Sequence, residues 1–207
     1  MAISHSIYFN NRRLVITDQL SMDYSVHNDI LMSYDGKNTV PKVLQFFKSS
    51  SQLFNVFVIA SDVKACLKDF EQAFTLVDAA GGLVQNAKGE YLLIRRRGHW
   101  DLPKGKVEVD EPLDVAALRE VTEECGIESI AITRHLIDTY HTYSINSIMH
   151  LKRTVWYLMQ FSGNEPLVPQ AEEDITRALW LPAQEIPALM SDSFGSVVDV
   201  FRAAGVV

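Results

Sequence analysis

The chain has 207 residues, of which 47% are hydrophobic and 22% are charged, and its formal net charge is −7. This composition is that of a globular protein and excludes an intrinsically disordered chain. The acidic balance gives no overall basic field for gripping nucleic acid, so no nucleic-acid partner is expected.

The N-terminal third of the chain, residues 1–73, predicts a small α+β domain. Its first residues alternate apolar and polar types and lack the apolar core of a secretory signal, which predicts a cytoplasmic location. The predicted elements are a hairpin at Ile7–Thr17 around Asn10-Asn11, a helix at Val40–Ser50, a buried strand at Leu53–Ala60, and a helix from Asp62 that Ser61 caps. The apolar run in this strand is too short to span a bilayer, so no membrane partner is expected.

This first segment contains no motif that indicates a chemistry, and three roles stay open for it. They are a dimer interface, a lid and a regulatory surface, so a homodimer is among the assemblies that the sequence allows. Cys66 and Cys125 are too few and too scattered for a disulfide framework or a zinc site. Two free thiols are therefore predicted.

A second domain, residues 74–207, is predicted from the change in the pattern of predicted elements after Thr75. The first predicted elements are two strands joined by a turn at Asn86–Gly89, a loop-rich passage at Trp100–Glu111, and a helix that begins at Pro112 and ends before Gly126. They are followed by β-rich segments at Ser129–Ser144 and Met149–Phe161, an acidic loop at Pro166–Ile175, and a helix at the C-terminal end.

Three acids cluster in the last turns of the predicted helix. At about 100° per residue, Glu120, Glu123 and Glu124 share one face. Like charges at i,i+4 and anions at a helix C-terminus are each unfavourable, so a free-standing helix should avoid them. We take these acids to lack an i,i+4 cation, which predicts that positive charge, such as a divalent cation, comes from elsewhere. The apolar face predicted to pack inward, opposite the acids, consists of Val115, Leu118 and Val121.

The cluster belongs to a longer pattern. Gly105, five residues, Glu111, seven residues and then Arg119-Glu120-Val121-Thr122-Glu123-Glu124-Cys125-Gly126-Ile127 resemble the signature of Nudix hydrolases at every defined position. The resemblance extends from about Thr75 to the C-terminus. It implies an α/β/α sandwich with a mixed sheet, hence an α+β fold, preceded here by the small N-terminal α+β domain. It also implies hydrolysis of a nucleoside diphosphate linked to another moiety, with Mg²⁺ or Mn²⁺ as cofactor.

The same resemblance implies roles for individual residues. Glu120, Glu123 and Glu124 match the metal-binding and catalytic glutamates, and the carbonyl of Gly105 is a further metal ligand. Glu120 is also the candidate within the signature to orient or deprotonate the attacking water. The remaining pair, Glu111 and Arg119, matches the salt bridge that braces the loop.

Further candidates lie outside the signature. Lys104 is predicted to contact a phosphate, and Arg95 and Arg97, on one face of a predicted strand, are candidates for the same task or for surface solubility. Some Nudix enzymes recruit one more acid from a distant loop, and Glu173 or Glu172 is the candidate for this metal ligand. The alternative for both is an acidic surface loop.

The substrate is indicated by one downstream residue. Tyr143 lies sixteen residues after Ile127, where a tyrosine resembles the marker of dinucleoside polyphosphate hydrolases; it equally fits a half-buried strand aromatic. A nucleotide polyphosphate, most specifically a dinucleoside polyphosphate, is therefore the expected substrate. A diphosphoinositol polyphosphate or a nucleoside triphosphate is the alternative, and a nucleotide-sensing regulator without turnover is the alternative of another class.

Overall fold

The computed structural model of the protein describes residues 3–20, 24–49 and 54–207. Contacts divide it into two compact units. The first comprises the described part of Met1–Val77 together with Tyr140–Lys152, and the second comprises Asp78–Thr139 together with Arg153–Val207. Within the described ranges, no helix has the length and apolar character needed to cross a bilayer.

The first unit is built on a small mixed sheet. Strands β1 (Ser4–Phe9) and β2 (Arg12–Thr17) pair in antiparallel fashion, and Asn10 turns between them with a φ of 55°. The predicted hairpin is therefore confirmed. Strands β3 (Ile30–Ser33) and β4 (Val56–Ile59) are parallel to each other, and β4 is parallel to β2. The strand order is β1-β2-β4-β3.

Two differences from the predicted strands have simple causes. Strand β3 was not predicted, because its four residues lie at a sheet edge within a polar stretch and alternate between exposed and half-buried positions. The buried strand predicted at Leu53–Ala60 is present as β4, while Leu53 lies outside the described residues.

Two helices, α1 (Thr39–Ser49) and α2 (Val63–Glu71), pack with the strands of the first unit around one apolar core. Both helices were predicted, but the N-cap of α2 was assigned one residue too early. The carboxylate of Asp62, not the hydroxyl of Ser61, accepts a hydrogen bond of 3.0 Å from the backbone N–H of Ala65. Serine and aspartate are both good N-caps, so sequence alone does not choose between neighbours.

The second unit contains most of the remaining elements. Its strands are β5 (Thr75–Gln85), β6 (Tyr91–Arg96), β7 (His99–Asp101), β8 (Lys104–Lys106), β9 (Ile130–Ile145), β10 (Ile148–Phe161) and β11 (Ile175–Leu181). Its helices are α3 (Leu113–Cys125), α4 (Ile186–Leu189) and α5 (Gly195–Ala203). The strand order is β11-β6-β5-β10-β9, with β7 paired to β6 and β8 paired to β5.

Strands β5, β9 and β10 contribute residues to both units. The hairpin tip formed by β9 and β10 belongs to the first unit, where Ile7 of β1 pairs in parallel with Tyr140 of β9. The contacts thus group Tyr140–Lys152 with the N-terminal segment, whereas the sequence divided the chain near residue 74.

Alternating residues of the second unit's strands enter two different cores. On β6, Leu92 and Ile94 pack in the core that includes α3, whereas Leu93 packs in the core that includes α5. Helices therefore cover both faces of the sheet. This α/β/α sandwich in an α+β chain with a mixed sheet is the fold class that was predicted, and that prediction is confirmed.

Candidate active site

Helix α3 lies so close to β8 that a side chain at one backbone position of β8 would displace a carboxylate of the helix. A Cβ atom built on Gly105 would stand 1.8 Å from Oε2 of Glu120, whereas real Cβ atoms essentially never approach a heavy atom within 3.0 Å. The absent side chain therefore lets the Glu120 carboxylate reach the β8 backbone. Ala116 and Ala117, both fully buried, supply a small-residue face on the helix that favours close packing.

Arg119 ties the carboxylates of the helix to the loop before it. Its guanidinium donates to both oxygens of Glu111 at 2.8 and 2.9 Å, and to the carbonyl of Lys106 at 3.1 Å. Its Nη1 also donates to Glu120 at 2.8 Å and to Glu123 at 3.0 Å. The bidentate hydrogen bonding from Arg119 lowers the pKa of Glu111 to about 2.

These contacts correct one step of the sequence argument. We took the acids of α3 to lack an i,i+4 cation, but Arg119 stands four residues before Glu123 and pairs with it. The side chain of Glu120, only 12% exposed, pairs with the same guanidinium. The repulsion among the glutamates is therefore relieved in part by the chain itself, and the demand for an external cation is smaller than predicted.

Glu124 is buried, with a relative exposure of 1%. Its Oε1 accepts from Nη1 of Arg96 at 3.0 Å, and its Oε2 accepts from the backbone N–H of Lys104 at 2.9 Å. Burial raises the pKa of Glu124 to about 7, and the positive charges of Lys104 and Arg96 oppose that shift.

The buried face of α3 also differs from the predicted one. Val121 is buried, but Val115, predicted to point inward, is 49% exposed. The face that packs inward includes Ala117, and Glu124 lies only about 20° from Ala117 around the helix. Glu124 is therefore on the packed side of the helix and not opposite it.

Arg96 joins the helix to the acidic loop. Its Nη2 donates to Glu173 at 2.5 Å while its Nη1 donates to Glu124. Glu173 closes a single 3₁₀ turn, Ala171–Glu173, and the backbone N–H of Gln170 donates to the carbonyl of Glu124 at 3.1 Å. Of the two candidate acids in this loop, Glu173 is the one brought to the signature helix through Arg96.

Arg96 was not among the predicted site residues, although the signal was present. Strand alternation places it on the same side of β6 as Leu92 and Ile94, which is the side that α3 covers. Alternation along a strand separates Arg96 from Arg95 and Arg97, but the sequence does not tell which side of the strand faces the glutamates.

Arg95 and Arg97 are directed to other acids. Arg95 pairs with Asp192 at 2.5 Å, and its guanidinium lies 5.2 Å from the ring centroid of Trp100. Arg97 follows the end of β6 with a φ of 50° and pairs with Asp174 at 3.0 Å. The two arginines therefore do not share a strand face as predicted, and their roles toward a substrate stay predictions.

Lys104 holds an internal ion pair. Its Nζ donates to Oδ2 of Asp101 at 2.5 Å, and the side chains of Lys104 and Asp101 are only 12% and 4% exposed. The other oxygen of Asp101 accepts from the backbone N–H of Leu102 at 2.8 Å. Asp101 was not predicted as a partner of Lys104, because the passage was expected to be rich in loops and the Lys104 ammonium was expected to contact a phosphate.

Tyr143 lies in the first unit, whereas the glutamates of α3 lie in the second. Its ring stacks on His150 with a centroid distance of 5.2 Å and an interplanar angle of 15°. Half-buried on β9, it matches the description of a strand aromatic that was the alternative to a substrate contact.

The donor atoms of the site fit a hard divalent cation. Carboxylate oxygens and a backbone carbonyl are the ligands that Mg²⁺ and Mn²⁺ prefer, and the missing Cβ of Gly105 keeps its backbone open toward Glu120. Across residues 3–20, 24–49 and 54–207, no three His, Cys, Asp or Glu side chains are already gathered closely enough to hold a metal ion. Arg119 and Arg96 hold the carboxylates instead.

Comparison with known proteins matches residues 75–199 to the model of the NUDIX domain. The MutT4 mutator protein of Mycobacterium tuberculosis is 32% identical over 126 residues, which cover 55% of this chain and 49% of that protein. The RNA pyrophosphohydrolase of Roseobacter denitrificans is 29% identical over 143 residues, which cover 59% of this chain and 89% of that protein. The chain thus spans about half the length of the first of these relatives.

A solved structure has the same fold. The crystal structure of a C. elegans Ap4A hydrolase binary complex superimposes with a TM-score of 0.51 at 22% identity. The match covers 62% of this chain and 95% of that one. At this identity the likeness concerns the fold of the matched region.

Proposed function

The chain belongs to the NUDIX family, and from that premise we propose that it is a metal-dependent pyrophosphohydrolase. The reaction is hydrolysis of a phosphoanhydride bond in a substrate built on a nucleoside diphosphate. One observation carries the proposal. Two carboxylates of one helical turn meet consecutive backbone positions of β8, Glu124 at the N–H of Lys104 and Glu120 against Gly105. A complete signature folded in this way favours turnover over nucleotide sensing alone.

The residues that would hold Mg²⁺ or Mn²⁺ are the three glutamates of α3 and the Gly105 carbonyl, with Glu173 as a further ligand. The bound cation would withdraw charge from the phosphate oxygens and make a coordinated water more acidic. Glu120 is proposed to orient the attacking water and to accept its proton. Its place against the β8 backbone supports this assignment, and Arg119 fixes the position of its carboxylate.

The chain's cations are proposed to orient the acids. Arg119 holds Glu120 and Glu123 at the same time as it holds the loop through Glu111. Arg96 donates from one terminal nitrogen to Glu124 and from the other to Glu173. A guanidinium keeps a fixed planar fork, so it can hold two carboxylates in a defined relative position.

We propose a dinucleoside polyphosphate as the substrate, with Tyr143, Lys104, Arg95 and Arg97 as candidate contacts. The support is the sequence resemblance at Tyr143 and the concentration of cations beside the signature. A diphosphoinositol polyphosphate and a nucleoside triphosphate remain the alternatives. Similarity to an RNA pyrophosphohydrolase adds RNA to the substrates worth assaying.

A panel assay tests the proposal. Diadenosine polyphosphates, nucleoside triphosphates, ADP-ribose, diphosphoinositol phosphates and RNA are each incubated with Mg²⁺ or Mn²⁺. Glu124→Gln should abolish hydrolysis, whereas Glu128→Gln, an exposed glutamate just beyond α3, should retain it. An inactive wild-type protein across the panel would favour the sensor. Undiminished turnover in Glu124→Gln would remove Glu124 from the site.

The division into residues 1–73 and 74–207 is proposed as the domain organisation, and a dimer interface, a lid and a regulatory surface are the roles open to the first segment. Removing this segment would take away β1, which pairs with β9 at Tyr140, so truncation would also disturb β9. Light scattering on the full chain is the cleaner test. A mass of twice 23.3 kDa would support the dimer, and a mass of 23.3 kDa would refute it.

A further inference from the structure

The first compact unit contains a pocket whose walls come from four separate segments of the chain. They are the turn after β1, the last turns of α1, the residues after α2 and the tip of the β9–β10 hairpin. The volume is about 630 Å³, within the range of small-molecule sites. All of the described residues that line the pocket belong to this unit. It is therefore separate in composition from the glutamates of α3.

Four aromatic side chains, Phe9, Phe47, Phe74 and Tyr143, line the pocket. The rings of Phe9 and Phe47 stack with a centroid distance of 4.1 Å and an interplanar angle of 6°. Phe74 is half-buried and tilts against Phe9 at 6.3 Å. Tyr143 supplies a further lining ring, which is held in position by its stacking on His150. Aromatic rings in fixed positions favour a planar ring in the ligand.

Two cationic side chains, Arg12 and Lys48, line the pocket, and we refer to them as its rim. The guanidinium of Arg12 lies 5.1 Å from the ring centroid of Phe47, and its Nη2 donates to the Phe47 carbonyl at 2.7 Å. Lys48, in the last turn of α1, is exposed. Among the described residues that line the pocket there is no aspartate or glutamate. In a chain with a net charge of −7, the presence of two cationic side chains in the lining favours an anionic ligand.

We propose that this pocket binds a nucleoside monophosphate. The nucleobase contacts the ring of Phe74, and the phosphate meets Arg12 and Lys48 at the rim. A planar ring linked to an anion matches the aromatic and the cationic side chains of the lining. Stacking between a base and an aromatic ring tolerates any of the common bases. The site needs neither a divalent cation nor the carboxylates of α3, so it goes beyond the proposed hydrolysis.

Calorimetric titration of the full chain with AMP, in the presence of EDTA, tests the proposal. EDTA removes the metal that hydrolysis requires, so the heat reports binding alone. We expect saturable binding of one AMP per chain. Adenosine and inorganic phosphate, which each carry half of the recognised chemistry, should bind at least about tenfold more weakly than AMP.

Matched variants locate the binding. Lys48→Glu reverses a rim charge, and Phe74→Leu removes a ring while keeping an apolar side chain; each should weaken AMP binding by at least about tenfold. Lys64→Glu and Phe46→Leu change residues of the same unit that do not line the pocket, and both should bind AMP as the wild type does. Lys48 is exposed, so its substitution decides the outcome if Phe74→Leu fails to fold.

Three results would overturn the proposal. They are the absence of saturable AMP binding, AMP binding that is unchanged in Lys48→Glu, and AMP binding that is lost in Glu124→Gln. The last result would assign the AMP to the α3 site. Because no turnover is measured, an enzyme that failed the hydrolysis panel could still bind AMP here, and the two proposals fail separately.

Discussion

Replacing Gly105 with alanine perturbs the proposed site through a single added carbon. The Cβ would stand 1.8 Å from Oε2 of Glu120, and ordinary contact begins at 3.4 Å, so the carboxylate must retreat by about 1.6 Å. The φ of Gly105 lies outside the left-handed region, so alanine strains the backbone little. The obstacle is the end of a flexible side chain, which can move at a modest cost in stability.

The expected consequence is therefore functional. A displacement of about 1 Å at a reacting centre costs on the order of 100-fold in rate, so Gly105→Ala should lower kcat by at least about 100-fold. The melting temperature should change by only a few degrees. Rates are measured at saturating substrate and Mg²⁺ beside a thermal melt. Activity within about threefold of wild type would refute the placement of Glu120 against Gly105.

Three further predictions follow from the structure. Asp101→Asn leaves the Lys104 ammonium buried without its carboxylate, which should cost about 3–5 kcal/mol of folding free energy and lower the melting temperature by roughly 10 °C. Adding Lys104→Met should restore part of that stability. An unchanged melting temperature in Asp101→Asn would contradict the buried ion pair. Tyr34→Phe removes the 2.5 Å hydrogen bond to Asp69 and should cost about 1–2 kcal/mol in urea unfolding. That bond raises the pKa of Tyr34 to about 12. Its contribution should therefore be complete below about pH 10 and be lost as the pH rises through 12, and a constant difference between the two proteins would contradict this. Millimolar Mg²⁺ should raise the melting temperature of the wild type, because it relieves the repulsion within α3, and no shift would count against metal binding.

The elements predicted correctly are those whose signals are local. The β1–β2 hairpin depends on Asn10, whose φ of 55° is one that asparagine tolerates, and the end of α3 depends on Gly126, whose φ is 71°. Strand β3 and the three-residue strands β7 and β8 were not predicted. Their pairing depends on neighbours that are distant in sequence, and their own residues carry too short a pattern.

The Glu111–Arg119 salt bridge was predicted, whereas the contacts of Arg119 with Glu120 and Glu123 were not. The signature spacing gives the positions of Glu120, Glu123 and Glu124 on the helix, because a helix turns by a fixed angle per residue. Which side of the helix becomes buried depends on the sheet it meets, and so the burial of Glu124 could not be predicted. The same limit applies to Arg96, whose partners come from α3 and the acidic loop.

The side chain of Lys104 illustrates a different limit. A lysine beside a glycine-rich loop is a common phosphate ligand, but the choice between a phosphate and Asp101 depends on which groups are desolvated together. Asp101 is buried with both oxygens hydrogen-bonded. A pair that is buried in this way is visible only after the strands have been assembled.

Hydrolysis of diadenosine polyphosphate, followed by ³¹P NMR while Mg²⁺ is titrated into the EDTA-treated protein, decides whether the chain is a metal-dependent pyrophosphohydrolase. We expect no hydrolysis before Mg²⁺ is added, a rate that rises to saturation with Mg²⁺, and no hydrolysis at any Mg²⁺ concentration for Glu120→Gln. Hydrolysis that proceeds in EDTA, or that survives Glu120→Gln at the wild-type rate, would contradict this expectation.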